Sequence, residues 1–303
     1  METINRTIKF NNKEFPGRIH IGDKPKYIVV THHGMLSNNT SFRYLENWIG
    51  ENGIVVNYDV RVNGKNKMKA SRMASTYVRD FRDVIRWAKN KYPNIPVITL
   101  GSSIGAAVVT SYAKKYGVKE VYKNIAWSIP YNFISGEEAS EAINKTKEKV
   151  NQYEELGIKE PTILTWIWKF SLMIFFNINS KAYVKIDLNR TADNKILSRI
   201  NKINKPEATP VKLFYASGKL IWTANRNLRK INKKNNQEFL YIQSTKDSYL
   251  TDKKLKQLKK WTGCGVKTYY LDEGKHAFQW ENKSGLNIRV FKMVWNWLET
   301  NKK

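Results

Sequence analysis

A chain of 303 residues, 41% hydrophobic and 13% aromatic, carries enough apolar material for a packed core, which excludes an intrinsically disordered protein. Lysine and arginine number 53 against 26 acidic residues, and the formal charge of +27 attracts polyanions, either nucleic acid or an anionic membrane face. With no arginine-rich block, zinc-ligand cluster or RNA-binding signature, nucleic acid is not expected and an anionic membrane surface is the candidate partner; compositional drift is the plain alternative.

Residues Thr7–Phe10 and Glu14–Ile21 read as two short strands about the turn Asn11-Asn12-Lys13, with His20 a structural strand histidine. Tyr27–Thr31 is a continuous apolar and β-branched run, the mark of a strand buried on both faces, and it stops at His32-His33-Gly34-Met35. Phe42, Tyr44, Leu45, Trp48 and Ile49 then recur at helical spacing. Gly53–Tyr58 is a second buried strand, ending in Asp59-Val60-Arg61-Val62-Asn63-Gly64. A long amphipathic helix follows over 70–90, with Met73, Tyr77, Phe81, Val84, Ile85 and Ala88 on one face. The strand from Val97 runs into Gly101-Ser102-Ser103-Ile104-Gly105 and a helix to Tyr116. Val121–Ile129 is a further strand, closed by Pro130. Strands alternating with helices at this spacing imply parallel β-α-β units and an α/β fold with a doubly wound, mostly parallel sheet.

The rhythm breaks over 131–210, read as an inserted helical cap. Charged helical sequence (Glu137–Leu156) leads into Thr162–Phe176, which is too short, and too interrupted by Lys169, for a membrane span. This segment is apolar nearly all round. It is either ordinary core or a cap helix lining an acyl pocket or dipping into a lipid interface, with Trp166, Phe170 and Met173 as pocket residues beside His33 and Gly34. The rhythm resumes at 211, so 1–130 and 211–303 form the core domain. Helical sequence over Leu220–Ile231 precedes a strand over Glu238–Gln243, then Asp247. A basic helix (Asp252–Trp261), a strand (Val266–Leu271), a loop with His276 and a closing helix with Val290, Val294 and Trp297 complete the chain.

Gly-x-Ser-x-Gly between a strand and a helix is the context of a nucleophile elbow, a turn so tight that Ser103 must adopt strained backbone angles. A serine needs a base to take its proton and a third group to orient that base. Of four histidines, His276 follows a late strand and so lies at the same sheet edge as Ser103. Asp247 also follows a strand, between serine and histidine in sequence; Asp252 is its rival but reads as a helix N-cap. Oxyanion donors are expected from the backbone N–H groups of Ile104 and Met35. His32 and His33 are read as braces of the Gly34 loop. No carboxylate lies close to them in sequence, so neither metal nor cofactor is expected.

With these residues assembled, the chain resembles the serine α/β-hydrolases, in particular the monoacylglycerol lipase and lysophospholipase group. The resemblance covers nearly the full length: His33-Gly34-Met35, Asp59-x-Arg61-x-x-Gly64, Gly101-x-Ser103-x-Gly105, an insert after Pro130, then Asp247 and His276. It implies a Ser103–His276–Asp247 triad that cleaves single-chain lipid esters through an acyl-enzyme. The elbow is Ser-Ser-Ile rather than the commoner His-Ser-Met, and the Asp59–Gly64 stretch lacks the usual paired glycines. Two alternatives remain open: a soluble short-chain esterase, thioesterase or peptidase-like hydrolase, and an inactive hydrolase fold serving as a lipid- or partner-binding protein. The single cysteine, Cys264, and the polar Met1–Phe10 opening fit a cytoplasmic protein, peripheral on the inner membrane face where it meets lipid.

Overall fold

A computed structural model describes residues 1–130 except Leu36, 183–185, 208–235, 239–278 except 248, 251, 253–254, 257 and 260–265, and 285–300. The chain opens with β1 (Glu2–Phe10) and β2 (Lys13–Ile21), an antiparallel hairpin in which Phe10 faces Lys13. Asn11 and Asn12 both hold positive φ (48° and 57°), which suits a two-residue turn that follows the strand twist. The first strand starts at Glu2, earlier than the sequence pattern indicates. It lies at the sheet edge with most side chains in water, so no buried face marks its beginning.

Next come β3 (Tyr27–His32), α1 (Arg43–Ile49), β4 (Gly53–Tyr58), α2 (Ala74–Lys91), β5 (Val97–Ser102), α3 (Ile104–Tyr116) and β6 (Lys123–Trp127). The helix α2 starts four residues later than its apolar periodicity suggests. The Ser71 hydroxyl oxygen accepts the Met73 N–H at 3.1 Å and Met73 is extended (ψ 111°), so a local side-chain turn displaces the first helical turn. Beyond residue 130 the described chain comprises β7 (Tyr183–Lys185), β8 (Ala208–Pro210), α4 (Val211–Asn235), β9 (Phe239–Ser244), β10 (Lys267–Leu271) and α5 (Leu286–Thr300). Of the 131–210 insert, the described part is β7 and β8, which pair antiparallel as a ribbon outside the main sheet. Trp166, Phe170 and Met173 lie outside the described residues. The helix α4 begins nine residues before Leu220, since Leu213, Ala216 and Ser217 bury against the core and override Gly218 within the turn.

The main sheet has eight strands in the order β1-β2-β4-β3-β5-β6-β9-β10, antiparallel through β1, β2 and β4 and parallel from β4 onward. Alternation along the central strands divides the apolar side chains between two cores. Ile28, Val30, Ile54, Val56 and Tyr241 pack with α2, α3 and α4, whereas Val29, Val55, Leu100, Trp127 and Ile242 pack with α1 and α5. With both faces covered, the parallel strands all present their C-terminal ends at one edge, the place where this architecture gathers ligands.

Candidate active site

Ser103 stands between β5 and α3 at φ 57° and ψ −122°, a conformation costly for a residue with a side chain. The surroundings hold it there. Its N–H donates to the Trp127 carbonyl at the end of β6 (3.1 Å), and its own carbonyl accepts from Ala107 N–H (3.2 Å), the first closed turn of α3. The turn requires glycine at its flanks: a Cβ on Gly101 would lie 2.3 Å from the Gly105 carbonyl oxygen, and one on Gly105 would lie 1.9 Å from that of His32.

His276 and Asp247 reach Ser103 from the loops after β10 and β9. His276 Nδ1 lies 2.8 Å from Asp247 Oδ2, and Nε2 lies 2.8 Å from Ser103 Oγ. A carboxylate can only accept, so Nδ1 carries the proton and Nε2 accepts from the serine hydroxyl. Asp247 is itself held. Its Oδ2 accepts from Gln243 Nε2 (2.9 Å), its Oδ1 from Tyr249 N–H (2.9 Å), and its carbonyl from Leu250 N–H (2.9 Å). Gln243 in turn accepts the Tyr241 hydroxyl, and the Tyr249 ring meets the imidazole edge-on at 4.7 Å. Burial first, and then the Asp247 charge, push the Tyr241 phenol well above its usual range, so it is a donor at any working pH.

On the other side of Ser103 runs the loop after β3. A Cβ on Gly34 would lie 3.1 Å from Ser103 Cβ and 3.6 Å from Oγ, so bare backbone faces the hydroxyl. Ile104 opens α3 with an N–H that has no acceptor within the helix, and Met35 follows Gly34. His33 Nε2 accepts Val60 N–H at 3.0 Å while Nδ1–H donates to the Gly34 carbonyl at 2.6 Å. Burial drives the pKa of His33 down, and it takes that of His32 down to about 3, so both rings are neutral pillars. His33 is buried with both nitrogens engaged, which ties the Gly34 loop to the start of the loop after β4. His20 is likewise structural, bonded to Thr3 and the Gly50 carbonyl.

Two groups of supporting residues have roles that their place in the sequence does not reveal. Gln243 and Tyr249 hold Asp247. Asp59 ties the loop after β3 to the loop after β4, its Oδ1 accepting Asn39 N–H (2.7 Å) and its Oδ2 accepting Lys65 N–H (2.8 Å). Asp59 opens the Asp59-x-Arg61-x-x-Gly64 stretch, but its partners appear only once the chain is folded.

The chain matches the alpha/beta hydrolase fold over residues 27–283. It belongs to that family. Within it, a monoacylglycerol lipase from Mycolicibacterium smegmatis is 32% identical over 95 residues, covering 30% of this chain and 34% of that protein. A protein phosphatase methylesterase 1 from Candida albicans is 29% identical over 94 residues, 31% of this chain and 26% of that one. The match thus spans about a third or less of each relative's length. Among solved structures, a soluble variant of the monoglyceride lipase of Saccharomyces cerevisiae, in complex with a substrate analog, superposes with a TM-score of 0.73. That likeness, at 12% identity, covers 100% of this alpha/beta hydrolase and 97% of the yeast chain, and it speaks for the fold.

Proposed function

We propose that this alpha/beta hydrolase cleaves carboxylic esters of single-chain lipids, monoacylglycerol or lysophospholipid, through a Ser103–His276–Asp247 triad. The observation that carries the reading is the unbroken hydrogen-bonded chain from Asp247 through His276 to Ser103 Oγ at the C-terminal edge of the sheet. Kinship with monoacylglycerol and monoglyceride lipases supports the substrate class.

In this mechanism Ser103 Oγ attacks the ester carbonyl as its proton passes to His276 Nε2. The imidazolium that forms keeps its Nδ1–H on the Asp247 carboxylate. Negative charge developing on the carbonyl oxygen is met by the Ile104 and Met35 N–H groups. The tetrahedral intermediate collapses, the C–O bond breaks, and His276 returns the proton to the departing alcohol. Water, deprotonated by His276, then releases the acyl group and restores the serine. Gly34 leaves room for the carbonyl beside the nucleophile, and the neutral His33 pillar adds no competing charge.

The test is turnover of acyl esters of increasing chain length by the wild-type protein and by Ser103→Ala, together with labelling of Ser103 by a fluorophosphonate. Rising kcat/KM with acyl length, abolished in Ser103→Ala, is the expected result. Absence of turnover on every ester with no labelling overturns the reading and leaves a binding protein on a hydrolase fold.

A further inference from the structure

The loop after β4 carries the sequence Lys65-Asn66-Lys67-Met68-Lys69, which alternates cation with neutral residue. The structure gives that alternation a physical meaning. Asn66 is buried, its Nδ2 donating to the Asp59 carbonyl at 2.7 Å and its Oδ1 accepting Met68 N–H at 2.9 Å. Met68 packs against the core shared by α2, α3 and α4. Inward residues therefore pin the strip, and Lys65, Lys67 and Lys69 all face water. The backbone is held at both ends: Lys65 N–H donates to Asp59, and the Lys69 carbonyl accepts from Arg61 Nη1 (2.8 Å), whose Nε is bonded to Asp80 (2.7 Å). None of the three ammonium groups has an ion-pair partner among the described residues. Four residues on, Met73 at the start of α2 is 55% exposed.

Position adds to this. The strand β4 runs parallel to β3 and β5, so the loop that follows it lies at the same sheet edge as Ser103. A row of water-facing cations on a pinned backbone, followed four residues on by an exposed thioether, matches the chemistry of an anionic bilayer surface, where ammonium groups meet headgroup phosphates and an apolar tip enters the acyl boundary. We propose that the Lys65–Lys69 strip, with Met73, is the surface by which this protein docks on anionic lipid, bringing the Ser103 edge to the membrane. The inference rests on the lipid-ester reading for its purpose, but not for its test.

The experiment measures sedimentation of the full chain with phosphatidylcholine vesicles, with or without phosphatidylglycerol, across a range of salt. Lys65→Gln/Lys67→Gln/Lys69→Gln is compared with Lys89→Gln/Lys91→Gln/Lys115→Gln. The second set removes the same charge from exposed positions in the last turns of α2 and α3, at the opposite sheet edge. Each lysine near an anionic surface is worth about fivefold in partitioning, so the loop variant is expected to bind about a hundredfold more weakly. Wild-type binding should need phosphatidylglycerol and fade with salt, and the distal variant should keep it. Equal loss in both variants, equal binding to neutral vesicles, or retention on RNA or DNA with no vesicle binding each overturns the proposal. Circular dichroism and turnover of a water-soluble ester, both expected to be unchanged in the loop variant, establish that it is folded. Absence of all ester turnover by the wild type refutes the hydrolase reading and leaves the vesicle result standing.

Discussion

Replacing Gln243 by leucine removes one bond to Asp247 and leaves the others. Asp247 Oδ2 accepts from both His276 Nδ1 and Gln243 Nε2, while Oδ1 remains fixed by Tyr249 N–H. A hydrogen bond to a charged acceptor contributes about 1.5–3 kcal/mol, and a decade of rate corresponds to about 1.4 kcal/mol. If the carboxylate must be aligned when the imidazolium forms, kcat/KM on a soluble ester should fall by about 10- to 100-fold, well short of the loss on removing Asp247. The Tyr241 hydroxyl loses its acceptor at the same time, which costs stability of about 1–3 kcal/mol. Gln243→Glu separates the two effects, because it keeps an acceptor for Tyr241 but sets a second carboxylate against Asp247. That like-charge pair favours the imidazolium, so the acid limb of the pH–kcat/KM profile should move to higher pH. The assays are steady-state kinetics from pH 5 to 9 and urea unfolding of each variant. A Gln243→Leu enzyme with kcat/KM within twofold of wild type, or a Gln243→Glu profile superimposable on it, refutes the positioning role.

Gly105→Ala would place a methyl group 1.9 Å from the His32 carbonyl oxygen, where only backbone can yield, so β3 and α3 must part; a loss of about 3 kcal/mol or more is expected by urea unfolding. Asp59→Ala leaves Asn39 N–H and Lys65 N–H without their acceptor and loosens the loop that carries Gly34 and Met35. It should lower kcat while Ser103 still labels with a fluorophosphonate. Acid stability divides into two windows. His32, held by burial at about 3 against 6.5 when unfolded, contributes stability that is complete above pH 6.5 and lost as pH falls toward 3. Burial pushes the Glu120 carboxyl up, but hydrogen bonds from Arg82, Arg86 and Tyr112 outweigh it and hold the group at about 2, so its contribution is lost only between pH 4.5 and 2. Urea midpoints should therefore begin to fall below pH 6.5, and Glu120→Gln should flatten only the part below pH 4.5.

Local chemistry made much of the sheet readable in advance. Tyr27–Thr31 and Gly53–Tyr58 are buried on both faces and so are apolar but for Thr31 and Asn57, and both are strands within one residue of the expected bounds. The turn at Ser103 was readable for the same reason, since its strand, its glycines and its helix are adjacent in sequence. What stayed hidden depends on partners far along the chain. The edge strand β1 has no buried face, so only its pairing with β2 reveals that it begins at Glu2. Gln243 is an ordinary polar residue at the end of a strand until folding brings Asp247, four residues on, back beneath it. His33 is similar: its sequence position suggests pocket or brace alike, and the Val60 N–H on its Nε2 becomes visible only once the chain is folded.

The order of strands has a consequence in time. Ser103 belongs to the part of the chain made before the insert, whereas Asp247 and His276 come after it, in the loops that follow β9 and β10, the strands that complete one side of the sheet. A ribosome therefore finishes the strained serine turn long before the histidine that its hydroxyl meets has been translated. A truncated product ending between residues 103 and 275 holds the serine without that histidine. The hydrogen-bonded chain from Asp247 through His276 to Ser103 therefore closes late, once β9 has docked against β6 and β10 against β9.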